Sequence, residues 1–231
     1  MKTLSIIIPV YNEEKTILKV LEKIKESKLD SVNYEVIVVN DGSSDSTNKI
    51  LSNNESLYDQ YISYDYNKGK GYAVRSGIKK SIGDYVIIQD ADLEYDPKDY
   101  SKFINVFSKF DASGIIGSRV IYSEYTKAHN FYNKLGNKLI TLIFNIVYNK
   151  TLTDICCCYF AFKKNLINPE LLKSEGFSQH IEIICEVLNK GKNIYEVPVC
   201  YNGRTYEEGK KIRFYHVFEM IYQIFKKKFF Q

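Results

Sequence analysis

Asp90 and Asp92 are the residues in this chain best placed for chemistry. They stand two positions apart, directly after the apolar, β-branched run Tyr85–Ile88. Such a run has the pattern of a buried strand. Two carboxylates at the carboxyl end of a buried strand can hold a hard divalent cation beside a bound phosphate. Asp96-Pro97 then breaks the chain and opens a helix at Lys98. An acidic turn capped by Asp96 has the same local pattern, so the surrounding chain must decide.

Elements that could position this pair recur along the first half. Leu4–Val10 is a continuous apolar run that reads as a buried first strand, and Asn12 is placed to cap the helix that carries Ile17, Leu21 and Ile24 on one face. Tyr34–Val39 repeats the buried-strand pattern and ends in Asn40-Asp41-Gly42-Ser43-Ser44, a turn that leads into another helix. Gln60–Tyr64 is a weaker, edge-like strand. A basic loop, Asn67-Lys68-Gly69-Lys70-Gly71, leads into a helix with Ala73, Val74, Gly77 and Ile78 on one face. Three strand–helix alternations predict an α/β fold with a doubly wound, mostly parallel sheet and helices on both faces.

The second half is less regular. A helix carries Phe103, Val106 and Phe107, Gly114–Ser118 is a short strand, and Asn130–Tyr148 reads as a helix. Cys158–Phe162 alternates like a half-exposed strand. Ile181–Leu188 is a helix, Ile194–Val199 a strand, and Gly203–Lys211 a polar loop. From Arg213 the tail is helical, with Phe214, Phe218, Ile221 and Phe225 on one stripe and Lys226, Lys227 and Lys228 at its end. The economical division is one domain over residues 1–212 and an amphipathic basic helix over 213–231. That helix suits contact with an anionic membrane surface, and equally suits packing on its own domain.

Composition narrows the function. The 231 residues are 45% hydrophobic and 26% charged, with a net charge of +4. Those are the proportions of a globular chain. Basic residues are interspersed with acidic ones, which argues against nucleic acid as a partner. No apolar run reaches the roughly 18 residues that span a bilayer, and no secretory signal is apparent. Cys156, Cys157, Cys158, Cys185 and Cys200 form no metal spacing and read as free thiols in a reducing compartment. The expected location is cytoplasmic, with peripheral contact to the cytoplasmic membrane face left open. Neither G-x-G-x-x-G after the first strand nor G-x-x-x-x-G-K-[ST] is present, so dinucleotide enzymes and P-loop NTPases fall away.

Five motifs in order carry a resemblance: PVYNEE (Pro9–Glu14), NDGSSDST (Asn40–Thr47), NKGKGYAVRSG (Asn67–Gly77), GDYVIIQDADLEYDP (Gly83–Pro97) and GSR (Gly117–Arg119). Together they resemble the family 2 glycosyltransferases. The stretches Glu196–Ile212 and Phe177–Ile183 resemble the polyprenol-phosphate hexosyltransferase branch, typified by dolichol-phosphate mannose synthase. The resemblance implies a GT-A nucleotide-diphospho-sugar transferase fold and a metal-dependent, inverting transfer of a hexose. The donor would be of the GDP-mannose or UDP-glucose type, and the acceptor a polyprenyl or dolichyl phosphate.

The resemblance also implies roles for residues. Pro9, Tyr11 and Glu13 would line base and ribose, and Val39 and Asp41 would meet the base. Asp90, Ala91 and Asp92 would meet ribose and diphosphate, and Lys70 the diphosphate, with Lys68 a weaker candidate. Asp92 would bind Mg²⁺ or Mn²⁺ with Asp90 assisting. Glu94 stands where the branch often has Gln and would be a third ligand. Arg119, Arg204 and Lys210 match positions that hold phosphate groups. An alternative acceptor is a glycan hydroxyl, which needs a base; His180, Glu182 and Asp154 are the candidates. A nucleotide-sugar-binding protein without turnover is the third reading.

Overall fold

In the computed structural model the described residues are 1–121, 131–191, 193–204, 207 and 216–230. Seven strands form one sheet: β1 Thr3–Val10, β2 Asn33–Asn40, β3 Gln60–Ser63, β4 Tyr85–Ile88, β5 Gly114–Ser118, β6 Phe160–Lys163 and β7 Ile194–Pro198. Their spatial order is β3-β2-β1-β4-β6-β5-β7. All neighbours are parallel except β6, which runs antiparallel to both β4 and β5. The helices are α1 Ile17–Glu26, α2 Thr47–Ser52, α3 Lys70–Lys80, α4 Tyr100–Lys109, α5 Phe131–Tyr148, α6 Gln179–Lys190 and α7 His216–Phe229.

The parallel half follows from sequence. Leu4, Ile6, Ile7 and Ile8 of β1 are wholly covered, as are Ile37, Val38 and Val39 of β2, because α1 and α3 with their apolar faces flank the sheet. Burial on both faces is why these strands are continuous apolar runs rather than alternating ones. Gly77 of α3 lets the helix approach β1 closely: a Cβ there would stand 2.4 Å from Ile7 Cγ2.

Two expectations need correction. Cys158–Phe162 is not a half-exposed strand. The strand begins at Phe160, and Phe160, Ala161 and Phe162 are all fully buried because β6 is wedged in mid-sheet. Asn12 does not cap α1. It adopts a left-handed backbone, φ 51°, and its Oδ1 accepts the Ser44 N–H at 2.8 Å. Asp96 does cap: its Oδ1 accepts the Lys98 N–H at 3.0 Å, ahead of a 3-10 turn that leads into α4.

The terminal helix has two faces. Met220, Ile224 and Lys227 are buried, with α7 packed on α5 and α6. The Phe-rich stripe faces away: Phe218 is 64% and Phe225 41% exposed, with Tyr222 and Phe229 also outside. α5 continues this apolar surface through Leu135, Leu139, Leu142 and Ile146. Among the described residues no helix is long and apolar enough to cross a membrane.

Wedged between two partners, β6 should be the sheet's most sensitive strand. Phe162→Ala is expected to lower the unfolding free energy by about 3–5 kcal/mol, read by urea denaturation. A loss below about 1 kcal/mol would contradict the packing described.

Candidate active site

The strand ends are tied to one another before any ligand is considered. The loop after β1 and the loop after β2 are laced together by side-chain hydrogen bonds. Asn12 N–H donates to Ser43 Oγ at 3.0 Å, Glu13 N–H to Thr47 Oγ1 at 3.0 Å, and Ser46 N–H to Glu14 Oε2 at 2.9 Å. The polar residues of YNEE and SSDST thus satisfy each other's backbone, where local reading made them helix starts. This lacing fixes Tyr11 and Glu13 at the rim of a cavity of about 440 Å³.

Asp41, at the end of β2, pins the next loop. Its carboxylate accepts the N–H groups of Lys68 and Gly69 at 2.9 and 2.8 Å, and the Asn67 side chain at 3.0 Å. Burial raises its pKa above the usual carboxylate range, and the two N–H donors work against that rise. Gly69 has φ 96°, a left-handed conformation that favours glycine. The next residue, Lys70, places its Nζ 2.5 Å from Asp90 Oδ1. Burial opposes the lysine's charge, but Asp90 outweighs it and holds Lys70 protonated.

The acidic loop forms the cavity floor. Arg204 reaches it from the segment after β7. Its guanidinium donates to both Glu13 oxygens and to Asp92 Oδ2, each at 3.1 Å. Glu94 holds that segment in place: Oε1 accepts the Arg204 N–H at 2.7 Å and Oε2 the Tyr201 hydroxyl at 2.8 Å. Burial, then the charges of Asp90 and Glu94, push Asp92 up to about 7. Arg119 pairs with Asp154 through two hydrogen bonds of 2.7 and 2.8 Å and lies over the Tyr201 ring.

Most of the residues singled out in the sequence therefore meet. Pro9, Tyr11, Glu13 and Asp41 form one side of the cavity. Lys70, Asp90, Ala91, Asp92, Glu94, Arg119 and Arg204 form its base. Val39 does not join them; it is wholly buried in β2. Lys68 is turned to the rings of Tyr64, Tyr66 and Tyr72. Lys210 lies outside the described residues. None of the three base candidates lines the cavity. Asp154 is consumed by Arg119. Glu182 accepts the N–H groups of Lys173 and Ser174. His180 is buried with Nδ1 against the Phe177 carbonyl, and burial pushes it down to about 4, so it stays neutral. Local reading missed Tyr201, which joins Glu94 to Arg119. It also missed the far wall, made by Asn133 and Asn137 of α5 with Phe177, Val217 and Met220. Only the apolar run that ends α5 hinted at that wall.

The family profile described as Glycosyl transferase family 2 matches residues 5–169. The chain belongs to glycosyltransferase family 2. It is 31% identical over 227 residues to a dolichol-phosphate mannosyltransferase of Pyrococcus furiosus, covering 96% of this chain and 62% of that one. It is 27% identical over 210 residues to an undecaprenyl-phosphate 4-deoxy-4-formamido-L-arabinose transferase of Proteus mirabilis, covering 89% and 62%. A hexosyltransferase of low-salt glycan biosynthesis, Agl6 of Haloferax volcanii, is 30% identical over 209 residues, covering 89% and 49%. The chain thus spans less than two thirds of the length of these relatives. Among solved structures, glucosyl-3-phosphoglycerate synthase of Mycobacterium tuberculosis with Mn²⁺, UDP-glucose and phosphoglyceric acid superposes with a TM-score of 0.73. That likeness, at 18% identity, covers 98% of this chain and 79% of the other, and it is one of fold. The mostly parallel sheet is that of a GT-A glycosyltransferase.

The donor set suits a hard cation. Asp90 and Asp92 offer carboxylate oxygens from one side. Among the described residues no three His, Cys, Asp or Glu side chains converge on an ion by themselves. Mg²⁺ commonly binds through one or two carboxylates, with phosphate and water filling the other positions. Among the described residues six carboxylates, Glu13, Asp41, Asp90, Asp92, Glu94 and Glu219, line the cavity against the cations Lys70, Arg119 and Arg204. A lining with that excess of carboxylates suits a divalent cation.

The Arg119–Asp154 pair is largely buried, with 16% and 3% of the two side chains exposed. Asp154→Ala would strand the guanidinium and is expected to destabilise the fold by about 3–5 kcal/mol. Chemical denaturation checks it, and a change within about 0.5 kcal/mol would contradict the pairing.

Proposed function

We propose that this glycosyltransferase moves a hexose, with inversion, from a nucleotide-diphospho-sugar to a polyprenyl phosphate, using Mg²⁺ or Mn²⁺. One observation carries the reading: residues from the ends of β1, β2, β4 and β5 and from the segment after β7 converge on a single cavity. In open α/β sheets ligands gather at the carboxyl ends of strands. Tyr11 and Glu13 suit a base and ribose at the rim. Lys70 and the Asp90/Asp92 pair suit a diphosphate at the floor. When bound there, the metal would offset charge on the departing nucleoside diphosphate. Asp90 and Asp92 are the residues to hold it. Glu94, with both oxygens engaged by Tyr201 and Arg204, would act by fixing the loop beside it.

The acceptor assignment follows from two features. The far wall of the cavity is built from α5 and α7, whose outer faces are apolar and exposed. A lipid phosphate could lie between them with its chain along those faces. The three base candidates read from the sequence, His180, Glu182 and Asp154, are off the wall, while His216 and Glu219 of α7 line it. A phosphate is already anionic at neutral pH and needs no base. Arg119, held rigidly by Asp154 and Tyr201, is oriented to receive it and to offset repulsion from the donor. Two relatives are named for lipid-phosphate or dolichol-phosphate substrates, in line with this reading. The exposed aromatic stripe of α7 supports peripheral membrane contact.

Incubation with radiolabelled GDP-mannose or UDP-glucose, Mn²⁺ and polyprenyl phosphate should carry label into the organic phase. Asp92→Ala should lower that transfer by about 100-fold or more. Label that stays water-soluble on an added glycan would favour the hydroxyl-acceptor reading. Full transfer by Asp92→Ala would overturn the site assignment.

A further inference from the structure

Of the three lysines that close α7, one is inside the protein. The Lys227 side chain is fully covered, with Nζ 3.0 Å from Glu182 Oε1 and 2.8 Å from Glu186 Oε1. The two carboxylates sit one turn apart on α6, and both are buried. Burying such charges is tolerable only when each is paired and hydrogen-bonded. Glu182 has further partners. Its oxygens accept the Lys173 N–H, at 3.0 Å from each, and the Ser174 N–H at 2.8 Å.

The segment so held touches the donor side of the cavity. Glu175 O accepts the Gly71 N–H at 2.7 Å. A Cβ on Gly71 would lie 2.2 Å from Ser174 O, and one on Gly69 would lie 2.4 Å from Glu175 O. Only glycines allow the two backbones to approach this closely. Between them stands Lys70, whose Nζ meets Asp90. Contacts therefore run unbroken from the last turn of α7, through α6 and residues 173–175, to the cavity floor. Glu186 provides a contrast. Its ion pairs run to Lys227 and Lys190, and none runs to residues 173–175 among the described residues.

We infer that Lys227 is a positioning residue for donor binding: acting through Glu182, it fixes residues 173–175 against Gly69 and Gly71 and so sets where Lys70 stands over Asp90. The inference rests on the donor reading above for its functional part alone. It also gives α7 a second role, since the helix that presents the aromatic stripe outward anchors the donor loop inward.

The test compares full-length Glu186→Gln with the double variant Lys227→Met/Glu186→Gln. The second substitution leaves one carboxylate rather than two without the lysine, and Glu182 keeps the Lys173 and Ser174 N–H donors, so the comparison isolates Lys227. Lys227→Arg is the conservative control. Two readouts are taken: hydrogen exchange at the Ser174 and Gly71 amides, and affinity for UDP and for GDP with Mn²⁺. The double variant should lose protection at both amides and bind the nucleotide about tenfold more weakly, the scale of an indirect effect on a site. Glu186→Gln should lower the melting temperature yet keep the protection and the affinity, and Lys227→Arg should keep both. The inference is overturned if Gly71 stays as protected in the double variant as in Glu186→Gln, or if Glu186→Gln alone loosens it as much. A wild-type chain that binds neither nucleotide would instead sink the donor reading, and the exchange measurement would still decide the link from Lys227 to Gly71.

Discussion

Like charges brought together at the end of β4 are the constraint on which the rest of the site depends. Asp90, Asp92 and Glu94 leave the sheet within five residues, in a place where burial strips away much of their solvation. Each is held by a different part of the chain. Lys70 takes Asp90, Arg204 takes Asp92 and Glu13, and the Tyr201 hydroxyl and Arg204 N–H take Glu94. Breaking any one pairing would leave an uncompensated charge, which is the strongly unfavourable case for partly buried ions. The cluster thus works as a tie. It draws the loop before α3 and the segment after β7 onto the acidic loop, and the cavity is what remains between them.

The scaffold makes that tie possible by directing strand ends to one edge. Parallel β1, β2 and β4 deliver their loops side by side, and the lacing of Asn12, Glu13 and Glu14 to Ser43, Thr47 and Ser46 joins two of them. Asp41 orders the third loop by accepting its backbone N–H groups. The second half of the chain supplies the opposite wall. There β6 turns the sheet antiparallel, and α5 and α7 pack together with apolar residues left facing outward. A cavity that is polar on one side and lined by amphipathic helices on the other suits the proposed water-soluble donor and lipid-borne acceptor.

Much of this was legible in the residues, and the reasons for the rest are physical. β1, β2 and β4 announce themselves because burial on both faces demands unbroken apolar runs, and Asp90-Ala91-Asp92 stands out because it follows one of them. β6 was misjudged because Cys158–Phe162 alternates in character, while a strand's place within a sheet is set by distant partners. Asn12 has the residue type of a cap, yet its bonds go to a loop 32 residues away. Lys227 sits in a basic run and reads as a solvated charge; its partner Glu186 is 41 positions distant. Interactions made across such separations leave no local signature. The family motifs fall on one side of the cavity, whereas the contacts of Tyr201 and most of the α5–α7 wall emerged from packing.

The central claim is that the carboxylate-rich floor admits a diphosphate only together with a divalent cation. Isothermal titration of UDP and GDP into the wild-type chain, with and without Mn²⁺, tests it most directly. The account predicts measurable binding of at least one nucleotide with Mn²⁺, and affinity at least about tenfold weaker after the metal is removed with chelator, a difference of about 1.4 kcal/mol. Equal affinity with and without the metal would contradict it.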